Sequence, residues 1–325
     1  MVSGGSGETG ESGADDGVAA SSAGGADGDA TAGTARDSGA LSVMTWNLWW
    51  RFGGWRERRE AILRTLEAER PDILGLQEVW ADNGPGGENL ARWLAERLDM
   101  HWTWSPAVVQ DRWHSRNGGD TTVDVGVAVL SRHPILETAE RRLPTLPGHR
   151  DDGKTALHAL LDVPGGPLPF FTTHLNSGIA ESAVRCAQVR ELAAFVAEHA
   201  HGPYPPVVTG DFNAESDFDE VRLICGYKTA PAVPGLVLLD AWRFADPALP
   251  QGTWDIAHEE AVNFGMRPSC IDYILVGLPG PDSRGWIRTA RRSGDRRVAG
   301  VWPSDHAAVR AELALPDPAL KLSGA

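Results

Sequence analysis

The strongest constraint on how this chain can fold is an alternation: short runs rich in Val, Ile, Leu and aromatics keep exchanging with longer stretches of helical periodicity. Apolar runs too short to be helices are strands, and strands that alternate with amphipathic helices need a layered arrangement to bury both kinds of face. Residues 41–46 read as a strand. Residues 57–69 place Ile62, Leu63 and Leu66 on one helical face, and Pro71 ends that pattern. A strand follows over 73–77, then a second helical stripe of Leu90, Trp93, Leu94 and Leu98. Val125, Val127 and Val129 alternate as a strand does. Further strands read over 170–174, 206–209, 271–276 and 307–313. The longest helix, over 181–199, turns Val189, Leu192, Phe195 and Val196 inward. The fold class is mixed α/β, without internal repeats.

Composition separates the ends from this pattern. Residues 1–40 hold 11 of the 37 glycines, no aromatic residue, and seven carboxylates against the single Arg36. Such a segment buries too little apolar surface to offset its ordering entropy, so a disordered acidic tail is expected there. A short second tail is expected over 317–325, leaving one domain over 41–316. The formal charge of −14 argues against tight, nonspecific binding of long nucleic acid, which depends on Lys and Arg neutralising phosphates. Cys186, Cys225 and Cys270 fit neither a zinc spacing nor a redox pair and read as reduced thiols. No stretch approaches the roughly 18 apolar residues of a membrane span, and the first residues lack a basic start and apolar stretch, so the expectation is a cytoplasmic protein.

The chemistry is carried by polar residues next to the strands. They are Asn47 in TWNLW, Glu78 in LQEVW, His174 and Asn176 in THLN, Asp211 and Asn213 in GDFN, Asp272 in IDYI, and Asp305 and His306 in SDH. Singly, a strand-end Asp or Asn is usually a turn former. Together they offer only oxygen donors and imidazoles, a set that selects Mg2+ or Mn2+. The chain lacks a GxxxxGKS loop, a GxGxxG after a strand, a GxSxG elbow and an HExxH helix. The commonest nucleotide, acyl-transfer and zinc-protease readings fall away with them.

In this order, the six motifs resemble those of the endonuclease/exonuclease/phosphatase superfamily, over about residues 41–315. The resemblance implies a four-layer α/β/β/α sandwich, two mixed sheets packed face to face and flanked by helices. It implies a hydrolase that cleaves a phosphodiester or phosphomonoester by in-line attack of water. Glu78 matches the principal metal ligand, with Asn47 and Asp305 completing the Mg2+ or Mn2+ site. Asp211 matches the residue that orients or deprotonates the water, and Asn213 the amide that holds it. His306 matches a donor to a nonbridging phosphate oxygen, Asp272 its partner through the other ring nitrogen, and His174 a second phosphate-facing histidine. Asn176 either joins them or braces its loop.

Substrate choice is less constrained. Trp49, Trp50 and Trp55 follow Asn47 and would either stack on substrate at the cleft rim or pack the loop on the outer helix. Arg288, Arg291, Arg292, Arg296 and Arg297 would either contact anionic substrate or form a solvated strand edge. Val79 and Trp80 stand where abasic-site endonucleases carry a lysine, and CIDYI stands where inositol polyphosphate 5-phosphatases carry a WCDR-type segment. The expected partner is therefore a small or locally single-stranded phosphate ester. Duplex DNA and a sphingomyelin-type lipid are the alternatives, and no obligate protein partner is evident.

Overall fold

The computed structural model describes residues 39–254, 269–317 and 319. The segment 1–38, most of the expected acidic tail, lies outside the described residues, as do 318 and 320–325 of the expected second tail. Chain order is β1 (Ala40–Asn47), α1 (Trp55–Glu69), β2 (Ile73–Asp82), α2 (Leu90–Leu98), β3 (His101–Pro106), α3 (Asp111–Arg116) and β4 (Val123–Ser131). It continues with β5 (Ile135–Arg142), β6 (Thr155–Val163), β7 (Gly166–His174), α4 (Ser182–His199), β8 (Val207–Asp211) and α5 (Asp219–Cys225). The last elements are β9 (Leu238–Asp240), β10 (Asp272–Gly277), β11 (Ile287–Ser293) and β12 (Ala308–Ala314).

The strands form two six-stranded sheets, in the orders β11-β12-β1-β2-β4-β3 and β5-β6-β7-β8-β10-β9. Each is mixed for the same reason. One central pair is parallel, β1 with β2 and β7 with β8, and a parallel pair needs a long crossover, supplied by α1 and α4 respectively. Side chains on β1 alternate accordingly. Leu41 and Val43 join the core between the sheets, whereas Met44 and Trp46 pack with Ile62, Leu63 and Leu66 of α1 on the outer face. Val189, Leu192, Phe195 and Val196 of α4 cover the second sheet, completing the four-layer α/β/β/α sandwich.

Near one end the two sheets are tied by polar groups. Gln77 donates from Nε2 to Thr45 Oγ1 at 3.0 Å and to Thr172 Oγ1 at 2.9 Å, crossing the interface. Beside it, Gly75 lies so close to Thr209 and Thr172 that a Cβ there would overlap both side chains. The C-terminal ends of the two parallel pairs therefore lie side by side across the sheet interface, and loops from both sheets open onto one cleft.

The structure extends the sequence reading at several places. Residues 73–77 look like a complete strand, yet β2 continues to Asp82 through a bulge, with two residues, Gln77 and Glu78, set against one on β4. Strands β3, β5, β9 and β11 were not legible, because they are the four sheet edges and are short or interrupted by polar residues; β6 was missed although it is an interior strand, because His158 and Asp162 break its apolar run. All three cysteines are free. No helix among the described residues is long and apolar enough to cross a membrane.

Candidate active site

The site is built on strand register. Asn47 ends β1, His174 ends β7 and Asp211 ends β8, with His174 directly opposite Asp211. Asp272 opens β10, but β10 runs antiparallel to β8, so its first residue also faces Asp211. Asp305 and His306 precede β12, and their loop is fastened to β1. Ser304 Oγ donates to the Asn47 carbonyl at 2.6 Å, the His306 N–H donates to Ser304 Oγ at 3.1 Å, and Trp46 Nε1 donates to the His306 carbonyl at 2.9 Å.

Asp211 Oδ2 is the focus. Asn47 Nδ2 donates to it at 2.9 Å, His174 Nε2 lies 3.5 Å away and His306 Nε2 3.8 Å away. Its Oδ1 accepts from the Asn213 N–H at 2.9 Å, while Asn213 Nδ2 donates to the Leu175 carbonyl. Burial and the Asp272 carboxylate push Asp211 up to about 6. His306 Nδ1 pairs with Asp272 Oδ2 at 2.9 Å. Burial alone would lower His306, but Asp272, with Asp305 and Asp211, holds it well above the usual imidazole range. His174 is driven the other way, by burial first and then by Lys154, His306 and Arg112.

Glu78 is not at a strand end as the sequence suggests. It occupies the β2 bulge at φ 51°, a left-handed conformation unfavourable for a glutamate, and lines the cleft. Trp49, Trp50 and Asn213 are also left-handed and belong to the loops around this cleft, so backbone strain is concentrated here. Glu78 Oε2 is buried without a hydrogen-bond partner, and burial raises the carboxyl above its ordinary value. An orphaned carboxylate oxygen in a cleft that Asp305 also lines suits a hard divalent cation, and Asn47 Oδ1, which accepts from the Trp49 N–H at 3.0 Å, keeps a second lone pair. Asp211, Asp272 and His306 also bring donor atoms within 4.8 Å of one another; Asp272 Oδ2 is taken by His306 Nδ1, while Asp272 Oδ1 is buried without a hydrogen-bond partner.

The cleft has a volume of about 480 Å³. Glu78, His174, Asp211, Asn213, Asp305 and His306 line it together with groups the sequence did not single out, Arg112, Arg116, Trp113, Ile179 and Phe218. Lys154, beside His174 and Trp113, is buried and pushed down to about 8, chiefly by that burial and next by Arg112. Arg58, which reads as an ordinary surface residue of α1, is buried. It donates to the carbonyls of Leu48, Trp49, Trp50, Phe52 and Pro303, fixing both the tryptophan loop and the turn that carries Asp305.

Other expectations resolve differently. Of the three tryptophans, only Trp49 lines the cleft. Trp50 is buried edge-on against Phe52 and Trp113, and Trp55 packs on Trp80. Asn176 braces its loop, exchanging hydrogen bonds with Gln188 of α4 at 3.0 and 2.9 Å. None of Arg288, Arg291, Arg292, Arg296 and Arg297 lines the cleft. Arg291 pairs with Glu69 and Arg292 with Asp295 along the β11 edge.

The Endonuclease/Exonuclease/phosphatase family profile matches residues 44–306, and the chain belongs to that family. Members are divalent-metal-dependent hydrolases of phosphate esters. The Caenorhabditis elegans "Putative neutral sphingomyelinase" is 31% identical over 226 residues, a match spanning 63% of this chain and 46% of that protein. The human Nocturnin catalytic domain with bound sulfate superposes with a TM-score of 0.62 at 22% identity, over 85% of this chain and 94% of that one. A Beutenbergia cavernae endonuclease/exonuclease/phosphatase gives 0.62 at 23%, over 86% and 72%. Caenorhabditis elegans TDP2 gives 0.60 at 20%, over 85% and 98%.

Proposed function

We propose that this chain is a divalent-metal-dependent phosphodiesterase that cleaves compact phosphate diesters by in-line attack of water. The observation that carries the reading is Asp211 Oδ2, held by Asn47 between two imidazoles of opposite charge preference. A carboxylate raised to about 6 is a better proton acceptor near neutrality than an ordinary aspartate, and Asn47 and Asn213 fix its orientation. It would take the proton of the attacking water. His306, charged and aligned by Asp272, would donate from Nε2 to a nonbridging phosphate oxygen, while neutral His174 offers a second polar contact without a competing charge. Glu78, with Asn47 and Asp305, would hold Mg2+ or Mn2+. The bound ion supplies charge stabilisation on the phosphoryl and leaving oxygens.

The wall supports a compact substrate. Trp49, Phe52 and Trp113 give it aromatic surface, Arg112 and Arg116 give local positive charge, and the chain as a whole carries −14. A long duplex would need a longer basic track. A second reading, a lipid phosphodiester of the sphingomyelin type, is favoured by Ile179 and Phe218 at the cleft, 83% and 38% exposed, and by the nematode relative's name. The experiment is a substrate panel with Mg2+ and then Mn2+: bis(p-nitrophenyl) phosphate, single-stranded DNA, RNA, plasmid duplex, and sphingomyelin vesicles. Metal-dependent turnover of the small diester, abolished by Glu78→Gln, is expected. Activity confined to plasmid and steeply salt-dependent would overturn the compact-substrate reading, and sphingomyelin as the sole good substrate would select the second.

A further inference from the structure

On the face of the second sheet that α4 covers, a buried histidine has no polar partner. His158 lies on β6 under α4, 2% exposed, with both ring nitrogens lacking a hydrogen bond. Its ring lies 4.7 Å from that of Phe171 and 4.8 Å from that of His199, the last residue of α4. Phe195 closes one side edge-on at 6.4 Å. A leucine or phenylalanine would fill this space without leaving two polar atoms unsatisfied, a penalty of about 1–3 kcal/mol per buried group. Packing therefore does not explain an imidazole here.

A ligand role does. One donor atom from each of His158, His199 and Glu137 lies within 4.8 Å of the other two. His199 Nδ1 is 4.0 Å from Glu137 Oε1. Of the neighbouring Glu198 carboxylate, Oε2 is paired with Arg141 at 2.6 Å and Oε1 lies 3.8 Å from His199 Nε2; the acid grouped with both imidazoles is Glu137.

We propose that Glu137, His158 and His199, none of which lines the cleft, form a second metal site that takes a zinc-class divalent transition ion. Two imidazoles and one carboxylate match zinc ligation with water in the fourth position, whereas Mg2+ prefers an all-oxygen shell. Bonds of about 2.1 Å in a tetrahedron put donors roughly 3.4 Å apart, so binding draws the present atoms inward by about 1 Å. Glu137, whose side chain is 59% exposed, and His199 at a helix end have the freedom to do so. The ion would tie the β5–β6 hairpin to the last turn of α4. The two sites would sort metals by chemistry, hard oxygen donors in the cleft and nitrogen donors here.

Calorimetric titration of the full chain with Zn2+, after removal of metals and in saturating Mg2+, tests this without reading turnover. Co2+ substitution supplies a second readout through the absorption of a tetrahedral centre. One Zn2+ equivalent is expected. Glu78→Gln should keep it, and His199→Gln or Glu137→Gln should weaken it at least tenfold with the metal-free melting temperature nearly unchanged. His158→Phe, an aromatic replacement among Phe171 and Phe195, should abolish it. No Zn2+ binding in the presence of Mg2+, Zn2+ binding that survives His199→Gln and Glu137→Gln, or its loss in Glu78→Gln would overturn the proposal.

Discussion

On the two sides of Asp211 Oδ2 stand imidazoles at similar distances, His174 at 3.5 Å and His306 at 3.8 Å, both buried, yet held in opposite charge states. Desolvation disfavours the charged form in both. The difference lies in what else each ring meets. His306 pairs through Nδ1 with Asp272 and feels Asp305, while His174 feels Lys154 and Arg112. Carboxylates outweigh burial on one side; cations reinforce it on the other. One carboxylate thus has a charged donor and a neutral neighbour within reach, and residue type alone does not say which is which.

The largest effects should come from breaking the charged side. His306→Ala and Asp211→Asn are each expected to lower kcat by about 10³-fold or more, because each removes a group that the proposed mechanism sets against the reacting phosphate or water. Steady-state kinetics on a small diester checks this. A change confined to KM would mean that both residues only bind substrate. Asp272→Asn should cost less, about 10–100-fold, since His306 stays in place and loses its orienting partner and much of its charge. An Asp272→Asn enzyme as fast as the wild type would remove the His306–Asp272 couple from the mechanism.

The neutral side should respond more mildly. Lys154→Met keeps the buried stem and removes the cation that helps hold His174 neutral and faces Glu78 and Asp211. A loss of about tenfold in kcat is expected at neutral pH, with His174 titrating nearer its ordinary value by NMR. An unmoved His174 would assign its depression to burial alone.

This pairing also marks how far the sequence could be read. Asn47, His174, Asp211, Asp272 and His306 stand next to apolar runs whose periodicity reveals the strands. Parallel or antiparallel register then places them together. Lys154, Arg112, Arg116 and Arg58 had no such marker. Lys154 lies in a polar loop before β6, Arg58 looks like a solvated residue of the first helix until the fold buries it, and Arg112 and Arg116 lie on α3, a helix too short to show a periodicity. The Glu78 bulge was equally hidden, because an inserted residue leaves LQEVW looking like the end of a strand rather than its middle. The charge states of the two histidines depend on neighbours drawn from the loop before β6, α3, β8, β10 and the loop before β12, a combination that exists only after folding.

The smallest effect isolates those charge states in the metal-free chain, as melting temperature against pH in the presence of EDTA. His306 binds a proton more tightly folded than unfolded. Its stabilisation is complete below the unfolded value near 6.5 and is lost as pH rises through its raised folded value. His174 binds a proton less tightly folded. Between its depressed folded value and 6.5 the unfolded chain takes up the extra proton, so stability falls as pH falls through that window. His306→Asn should therefore flatten the alkaline limb of the curve, and His174→Asn the acid limb, each by a few degrees at most (about 2–4 °C per kcal/mol for a domain of this size). Flattening of the same limb by both substitutions would mean that the two sides of Asp211 do not differ in charge.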